Sequence, residues 1–349
     1  MADRRRLDSL TALRFFAALA VVGFHGGQLV WRPLLRVTSL GYTGVAFFFV
    51  LSGFVLTWSH QPHQSARRFW RNRFARVWPL HALTWALVVA TITGVGGGPM
   101  ASLGLVQAWV PHASFYFAAN GPSWSLSCEA FFYLCFPLVV TWVTRRRRLG
   151  ITAAAVLGSS LVTGVVLYGL LSPEWAYWAG YILPVDRLGE FVLGAVMATA
   201  VARGWRPPWT PRVAVVMVGV AWVAVVAAGG GESAPGPAPQ AVLADLVMIP
   251  AFAALIAAAA TRDADGRTWL SHPHLIRLGE WSFALYLIHQ PIMRLMRPGL
   301  APLVDGIALA ILCSAAVYRW VEKPLERRIR GGSRIPGAPI RACSIQPAT

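Results

Sequence analysis

The 349-residue chain has few charged residues for its length. Only 13% of its residues are Asp, Glu, Lys or Arg, whereas soluble domains carry about 25%, and this scarcity excludes an ordinary soluble domain. Lys323 is the only lysine, and the formal net charge of +17 comes from arginines. These arginines lie in short segments between apolar runs rather than in one basic stretch, so we expect no nucleic-acid partner.

Cysteine is also scarce, with four residues in the chain. Cys128 and Cys135 lie two turns apart on one predicted helix, about 10 Å along its axis, which is too far for a disulfide. The histidines and cysteines show no zinc-site spacing, and His272 and His274 lack further ligands nearby. The sequence therefore predicts no metal site.

Apolar residues, by contrast, make up 56% of the chain, and the mean hydropathy is +0.55. Because a membrane span needs about 20 apolar residues, we predict an all-α, polytopic integral membrane protein with about ten transmembrane helices. Residues 1–330 are predicted to form this transmembrane domain, and residues 331–349 a disordered cytoplasmic tail. The predicted spans are 8–31, 41–59, 74–94, 124–144, 150–171, 183–203, 212–229, 240–261, 275–296 and 301–322.

Basic residues set the predicted orientation, since Lys and Arg stay with cytoplasmic segments. If the N-terminus with Arg4, Arg5 and Arg6 is inside, 24 basic residues fall in cytoplasmic segments and 4 in outer ones. We therefore predict a multi-pass protein of the cell membrane with both termini cytoplasmic. Segment 95–123 then forms a long outer loop partly on the membrane surface, and segment 229–240 forms a flexible Gly/Pro linker.

The first span carries two polar residues that lipid-facing helices lack. Arg14 and His25 are eleven residues apart, so they share one stripe of a helix at depths that differ by about 16 Å. A charge inside a span usually faces the bundle interior or a wet cavity, and we predict a buried site around these two residues. Further ionisable residues fall in the outer halves of other spans: Glu129, Asp186, Arg187, Glu190 and His289.

Each of these further residues also has a structural explanation that the sequence leaves open. Asp186 and Arg187 fit ordinary interfacial residues, and Glu190 fits a salt bridge to a neighbouring helix. His289 precedes Pro291 and fits a residue that caps a helix kink.

The residue types suggest a chemistry for the buried site. A histidine near neutral pKa is suited to take a proton from an attacking hydroxyl, and the carboxylate of Glu129 would orient His25. Arg14 would then serve an anionic group nearer the cytoplasm. An extended acyl thioester with an anionic head fits this spacing, with its phosphates at the arginine-rich segment 67–76. Membrane anchoring explains the same arginines without a ligand.

Seven stretches between residues 11 and 328 resemble the acyltransferase family 3 membrane O-acyltransferases, in the order found in that family. Arg14 and His25 match its Arg-x10-His signature, and Glu129 matches its acidic position after Trp-Ser-Leu-Ser, although Ala130 replaces the second acid that many members carry. The stretches are LTALRFFAALAVVGFH, GYTGVAFFFVLSGFVL, RFWRNRFARVWPLH, WSLSCEAFFYLCFP, RLGEFVLGAVMA, LGEWSFALYLIHQPI and VEKPLERR.

The resemblance implies a ten-helix bundle that transfers an acyl group, often acetyl, from acyl-CoA to a hydroxyl of a sugar or natural product. We expect acetyl-CoA or propionyl-CoA as co-substrate and no permanently bound cofactor. His25 and Glu129 would be catalytic, and Arg14, Arg71, Arg73 and Arg76 would bind acyl-CoA. Residues expected to contact substrate or support the site are Ser52, Trp124, Ser127, Asp186, Arg187, Glu190, Tyr286 and His289.

The acceptor and the class of function retain alternatives. The chain resembles the stand-alone members, and within them the group that acylates macrolide or ansamycin hydroxyls, while a cell-surface glycan or glycolipid sugar is the second candidate acceptor. A covalent acyl-enzyme through Ser52, Ser125 or Ser127 lacks the G-x-S-x-G context that would support it. A function of another class would be transport of a small anionic or acylated molecule through the same polar core.

Overall fold

The computed structural model describes residues 7–27, 38–61, 63–91, 97–229, 239–266 and 268–330. This part of the chain is nearly all helical and contains no strand, which confirms the predicted all-α class. The N-terminal arginines 4–6, most of the predicted linker 229–240 and the predicted tail 331–349 lie outside the described residues.

Each predicted span coincides with one long helix within the described ranges. A π-helical turn, Tyr318–Glu322, and a short helix α11, Lys323–Ile329, follow the last of them. The long helices are α1 Asp8–Gly27, α2 Gly44–Trp58, α3 Ala66–Thr91, α4 Trp124–Arg145, α5 Leu149–Leu170, α6 Pro184–Ala202, α7 Pro211–Ala227, α8 Pro239–Asp265, α9 Pro273–Leu295 and α10 Leu300–Val317. Shorter helical turns cover Ser39–Thr43, Pro99–Leu103, Gln107–Trp109, Ala113–Tyr116, Gly121–Ser123, Pro173–Tyr177, Trp178–Ile182 and Trp269–Ser271.

Six helical segments among the described residues are long and apolar enough to cross a membrane by themselves. They contain α1, α2, α4, α5, α8 and α10. By contrast, α3, α6 and α9 carry several charged residues, and α7 has only 17 residues. The chain is therefore a multi-pass membrane protein, whereas ten spans and cytoplasmic termini remain predictions.

The centre of the bundle is built where α2 and α6 touch backbone to backbone. A methyl group at Gly53 would collide with the carbonyl oxygen of Phe191, and one at Gly194 would collide with that of Val50. Small residues allow this close approach, which favours helix association in membranes. Most of the α2 and α8 spans is buried, whereas only 6% of the α5 span is buried, so α5 lies at the periphery.

Two prolines inside helices leave carbonyl groups that other elements satisfy. Proline lacks an N–H, so the carbonyl four residues before it loses its helical partner. Before Pro137, the Tyr133 oxygen accepts instead from the Trp70 indole N–H at 2.9 Å. Before Pro291, the Leu287 oxygen accepts from the Asn120 side-chain amide at 2.8 Å.

Part of the predicted outer loop, within the described residues 97–123, packs into the bundle. Its polar residues Ser102, Gln107, Asn120 and Ser123 are buried. The Gln107 amide donates to the Ser123 carbonyl at 2.9 Å, and His81 on α3 bonds the Ser102 carbonyl at 2.9 Å. Helix α4 therefore begins at Trp124 within the bundle, where the Trp124 side chain is buried.

The close contact of α2 and α6 predicts opposite effects for two glycine-to-alanine substitutions. Gly194→Ala should lower the free energy of unfolding by about 1–3 kcal/mol, since the added methyl overpacks the contact. Gly219→Ala on α7 meets open space and should raise it by about 0.5–1 kcal/mol through helix propensity. Thermal unfolding in detergent measures both, and equal effects would contradict the contact.

Candidate functional site

A central cavity of about 110 Å³ lies among helices α1, α2, α3, α4 and α9. Arg14 points into it from α1, and the start of α3 contributes two further guanidinium groups. Its apolar wall includes Phe48, Phe49 and Phe283. The polar residues that line it are Arg14, Ser52, Arg73, Arg76, Ser125, Glu129, Tyr133, Ser282 and Tyr286.

The arginines of the cavity differ in how their charge is neutralised. Arg76 pairs with Glu322 at 2.8 Å and with Glu326 at 3.6 Å. Among the described residues, no carboxylate lies within the 4.0 Å ion-pair distance of Arg14 or Arg73, and the buried Nε of Arg73 has no hydrogen-bond partner. Three guanidinium groups and one carboxylate, that of Glu129, line the cavity, and this excess of positive charge suits an anionic ligand because buried charges require partners.

Glu129 belongs to this cavity and not to the surroundings of His25. Its carboxylate accepts a hydrogen bond from the Tyr133 hydroxyl at 2.7 Å. The prediction that Glu129 orients His25 is therefore wrong as a direct contact. Glu129 instead lines the same cavity as Arg14.

The partner of His25 is His289 on α9. The His289 Nε2 lies 3.2 Å from the His25 Nδ1, and the two rings have centroids 5.0 Å apart. The His289 side chain is fully buried. The structure thus brings together two histidines that the sequence separates by 264 positions.

The hydrogen bonds of this histidine pair determine its protonation. His289 Nδ1 lies 3.1 Å from the Leu285 carbonyl, and His25 Nδ1 lies 3.0 Å from the Val21 carbonyl. Because a carbonyl only accepts, both Nδ1 atoms carry hydrogen in the neutral rings. The His289 Nε2 then carries a lone pair and accepts a hydrogen bond from the His25 Nδ1–H, which also points at the Val21 carbonyl. His25 Nε2 is left as a lone pair with no partner among the described residues.

Tyr286 lies next to both the cavity and the histidine pair. Its ring lines the cavity and lies 6.0 Å from the His289 ring. Its hydroxyl bonds Ser125 at 2.8 Å and donates to the Pro122 carbonyl at 3.0 Å. His25 itself is not among the residues that line the cavity.

Arg187 lies in a separate buried network. Its guanidinium pairs with Asp245 on α8 at 2.6 Å and with Glu190 at 3.0 Å, and it stacks over the Tyr181 ring at 5.0 Å. None of these residues lines the cavity, and Asp186 is only half-buried beside them. Glu190 therefore has a salt-bridge partner, but on its own helix and not on a neighbouring one, and Arg187 is a buried residue and not an interfacial one.

The remaining predicted residues lie at the edges of the site. Trp124 and Ser127 are buried on α4 but do not line the cavity. Arg71 is exposed, donates to the Arg330 carbonyl at 3.1 Å, and lines a surface groove with Ser65, Arg67 and Arg68. This basic groove lies at the start of α3, near the cavity arginines of the same helix.

An apolar crevice of about 240 Å³ adjoins the cavity between α3 and α4. Arg73 and Tyr133 line both spaces. The outer part of the crevice has exposed apolar side chains such as Phe74 and Leu134. It is lined by Trp70, Arg73, Phe74, Val77, Trp78, Leu105, Ala130, Tyr133 and Leu134.

Three residues of these clusters were missed by sequence analysis, although each left a signal. Asp245 is the only acid in the predicted span 240–261. An isolated acid in an apolar span is the same signal that marked Glu129 as a candidate. Tyr133 lies four residues after Glu129 and therefore on the same helix face. Glu322 belongs to the VEKPLERR stretch, which marked the family resemblance but did not indicate a partner for its carboxylate.

Comparison with known proteins supplies the family. A family model described as "Acyltransferase domain" matches residues 7–319. The chain is 40% identical to the acyltransferase MdmB of Streptomyces mycarofaciens, covering 98% of this chain and 97% of the relative. It is 26% identical to the peptidoglycan O-acetyltransferase OatA of Listeria monocytogenes, covering 93% of this chain but only 56% of the relative. No solved structure matches the chain.

The Arg187 network predicts unequal effects for two aspartate-to-alanine substitutions. Asp245→Ala removes a carboxylate from a buried guanidinium and should lower the free energy of unfolding by about 3 kcal/mol. Asp265→Ala breaks an exposed pair with Arg206, whose atoms are 3.5 Å apart, and should cost at most about 1 kcal/mol. Thermal unfolding in detergent compares them, and an intact melting temperature for Asp245→Ala would contradict a stabilising network.

Proposed function

Because the chain belongs to the acyltransferase domain family, we propose that this membrane acyltransferase moves an acyl group from acyl-CoA to a hydroxyl of a natural product. The observation that carries the proposal is the cavity with two unpaired arginines below a histidine that presents a free lone pair. The family and the acyltransferase relatives favour an acyltransferase over the transporter considered from the sequence.

Acyl-CoA fits the distribution of positive charge. Its phosphates would bind the basic groove of Arg67, Arg68 and Arg71 and continue to Arg73 in the cavity, since guanidinium groups hold phosphate by paired hydrogen bonds. The pantetheine arm would pass Arg14 and extend toward the outer half of the bundle. The thioester would reach His25 once the Tyr286 hydroxyl leaves Ser125 and the Pro122 carbonyl.

In the proposed reaction, His25 acts as general base. Its Nε2 takes the proton of the acceptor hydroxyl as the hydroxyl oxygen attacks the thioester carbonyl carbon. The tetrahedral intermediate then breaks its C–S bond, the ester is released, and the CoA thiolate takes the proton from His25. Glu129, held by Tyr133, would serve the donor side by balancing part of the charge of Arg14 and Arg73.

Two observations favour a natural product as acceptor over a glycan. The Streptomyces relative matches over nearly its whole length, whereas this chain spans 56% of the Listeria peptidoglycan O-acetyltransferase. The apolar crevice next to the cavity also suits an acceptor with a large apolar body, such as a macrolide or ansamycin. A cell-surface sugar remains the second candidate because the named activity of that relative is O-acetylation of a glycan.

His25→Ala tests the reaction. With detergent-purified protein and radiolabelled acetyl-CoA or propionyl-CoA, we expect transfer to the accepted member of a panel of macrolides, ansamycins and glycans. The substitution should lower the rate at least about 100-fold, as loss of a general base does, while acyl-CoA affinity stays unchanged. Undiminished transfer by His25→Ala would refute the proposed base, and acceptance of glycans alone would reverse the choice of acceptor.

Arg14→Gln tests the donor site. Loss of a charged hydrogen-bond donor should weaken acyl-CoA binding by about 10- to 100-fold, measured by calorimetry in detergent. Arg212→Gln is the matched control, because this arginine is exposed at the start of α7 and should bind acyl-CoA as the wild type does. Equal affinity for the two variants would show that Arg14 does not contact the donor.

A further inference from the structure

The histidine pair carries one inference beyond the proposed donor and acceptor. We propose that His289 is a positioning residue that stays neutral and holds the His25 ring through its Nε2 lone pair while His25 gains and loses a proton. The inference rests on the proposed role of His25 as base. It assigns to the His289 imidazole the orienting role that the sequence predicted for Glu129, which lines the cavity instead.

Geometry makes the two rings unequal. If His25 gains a proton at Nε2, its Nδ1–H remains where it is and still points at the Val21 carbonyl and at His289 Nε2. If His289 gained a proton at Nε2, two N–H groups would face each other across 3.2 Å. Only His25 therefore accepts a proton without breaking the contact between the rings.

A neutral partner suits this position in the bundle. A buried carboxylate that accepts from a catalytic histidine needs further hydrogen bonds, because burying its charge costs desolvation free energy. Glu129 is hydrogen-bonded to Tyr133 instead. A neutral imidazole costs less to bury, provided its polar atoms are bonded. Both nitrogens of His289 are bonded, one to Leu285 and the other to His25.

The backbone around His289 is held in place from two directions. Its own Nδ1–H donates to the Leu285 carbonyl one turn earlier. The Leu287 carbonyl, freed by Pro291, is held by the Asn120 amide of the outer loop. With the side chain fully buried, the position of Nε2 is set by the fold, and it limits rotation of the His25 ring.

A second cation near the pair raises the importance of these acceptors. The field of Arg294 on α9 reaches His25, and the Arg294 guanidinium donates to the Ala119 carbonyl at 3.5 Å. A positive charge that forms on His25 is therefore repelled from one side. The lone pair of His289 and the Val21 carbonyl are the groups that stabilise it.

The test compares two substitutions of His289 in detergent-purified, full-length protein, using radiolabelled acetyl-CoA and the accepted member of the acceptor panel. His289→Leu removes the acceptor and should lower kcat by about 10- to 100-fold, the range expected for loss of one hydrogen bond to a charged group. The KM and binding affinity for acetyl-CoA should stay within twofold. His289→Gln keeps an acceptor oxygen within reach of His25 and should recover at least half of that loss on a logarithmic scale.

His81→Leu is the matched control. His81 is also fully buried and also bonds a carbonyl, that of Ser102 at 2.9 Å, but it does not touch His25. Its kcat, calculated per folded molecule, should stay within twofold of the wild type. Thermal unfolding measures the folded fraction of each variant. Equal losses for His81→Leu and His289→Leu, or no recovery by His289→Gln, would reduce His289 to a packing residue.

The two proposals fail in different ways. If His25→Ala keeps full activity, the proposed base is wrong whatever His289 does. If His25→Ala is inactive and His289→Leu transfers acyl groups at the wild-type rate, the base stands and the positioning role is overturned.

Discussion

The arrangement of this protein depends on the cost of placing a guanidinium group within hydrocarbon. Arg187 meets that cost with two carboxylates, and Arg76 meets it with two others from the end of the chain. Arg14 and Arg73 have no carboxylate within 4.0 Å among the described residues, and Glu129 supplies the one carboxylate that lines their cavity. The bundle neutralises Arg187 and Arg76 with carboxylates but leaves Arg14 and Arg73 without an ion pair in one cavity. An anionic ligand bound in that cavity would neutralise their charge.

The histidine pair proposed to transfer the proton lies apart from the arginine-lined cavity. On α1, Arg14 faces the arginine-lined cavity, while His25 lies about 16 Å further along the helix beside the neutral ring of His289. Tyr286 lies between the two environments and bonds the end of the outer loop. This separation suits a long donor whose anionic and reactive ends require different surroundings: guanidinium groups for phosphate, and an apolar, hydrogen-bonded base for the hydroxyl.

Some parts of the site followed from the sequence and others did not, and Glu129 shows why. Its place in an apolar span indicated that its carboxylate needs a partner, and the half-buried side chain accepts from the Tyr133 hydroxyl. Its partner was misassigned because spacing along one helix does not show which neighbouring helix a side chain faces. The loop before α4 packs into the bundle, held by Gln107, His81 and Asn120.

The sequence by itself determined the helical segments, the shared stripe of Arg14 and His25, and the family, because apolar run length and helical period depend only on neighbours along the chain. Only the tertiary structure decided which group each polar residue meets. His289 reaches His25, and Asp245 reaches Arg187, across long separations in sequence. Those meetings depend on the register between helices, which backbone contacts at Gly53 and Gly194 and a folded-in loop set in three dimensions.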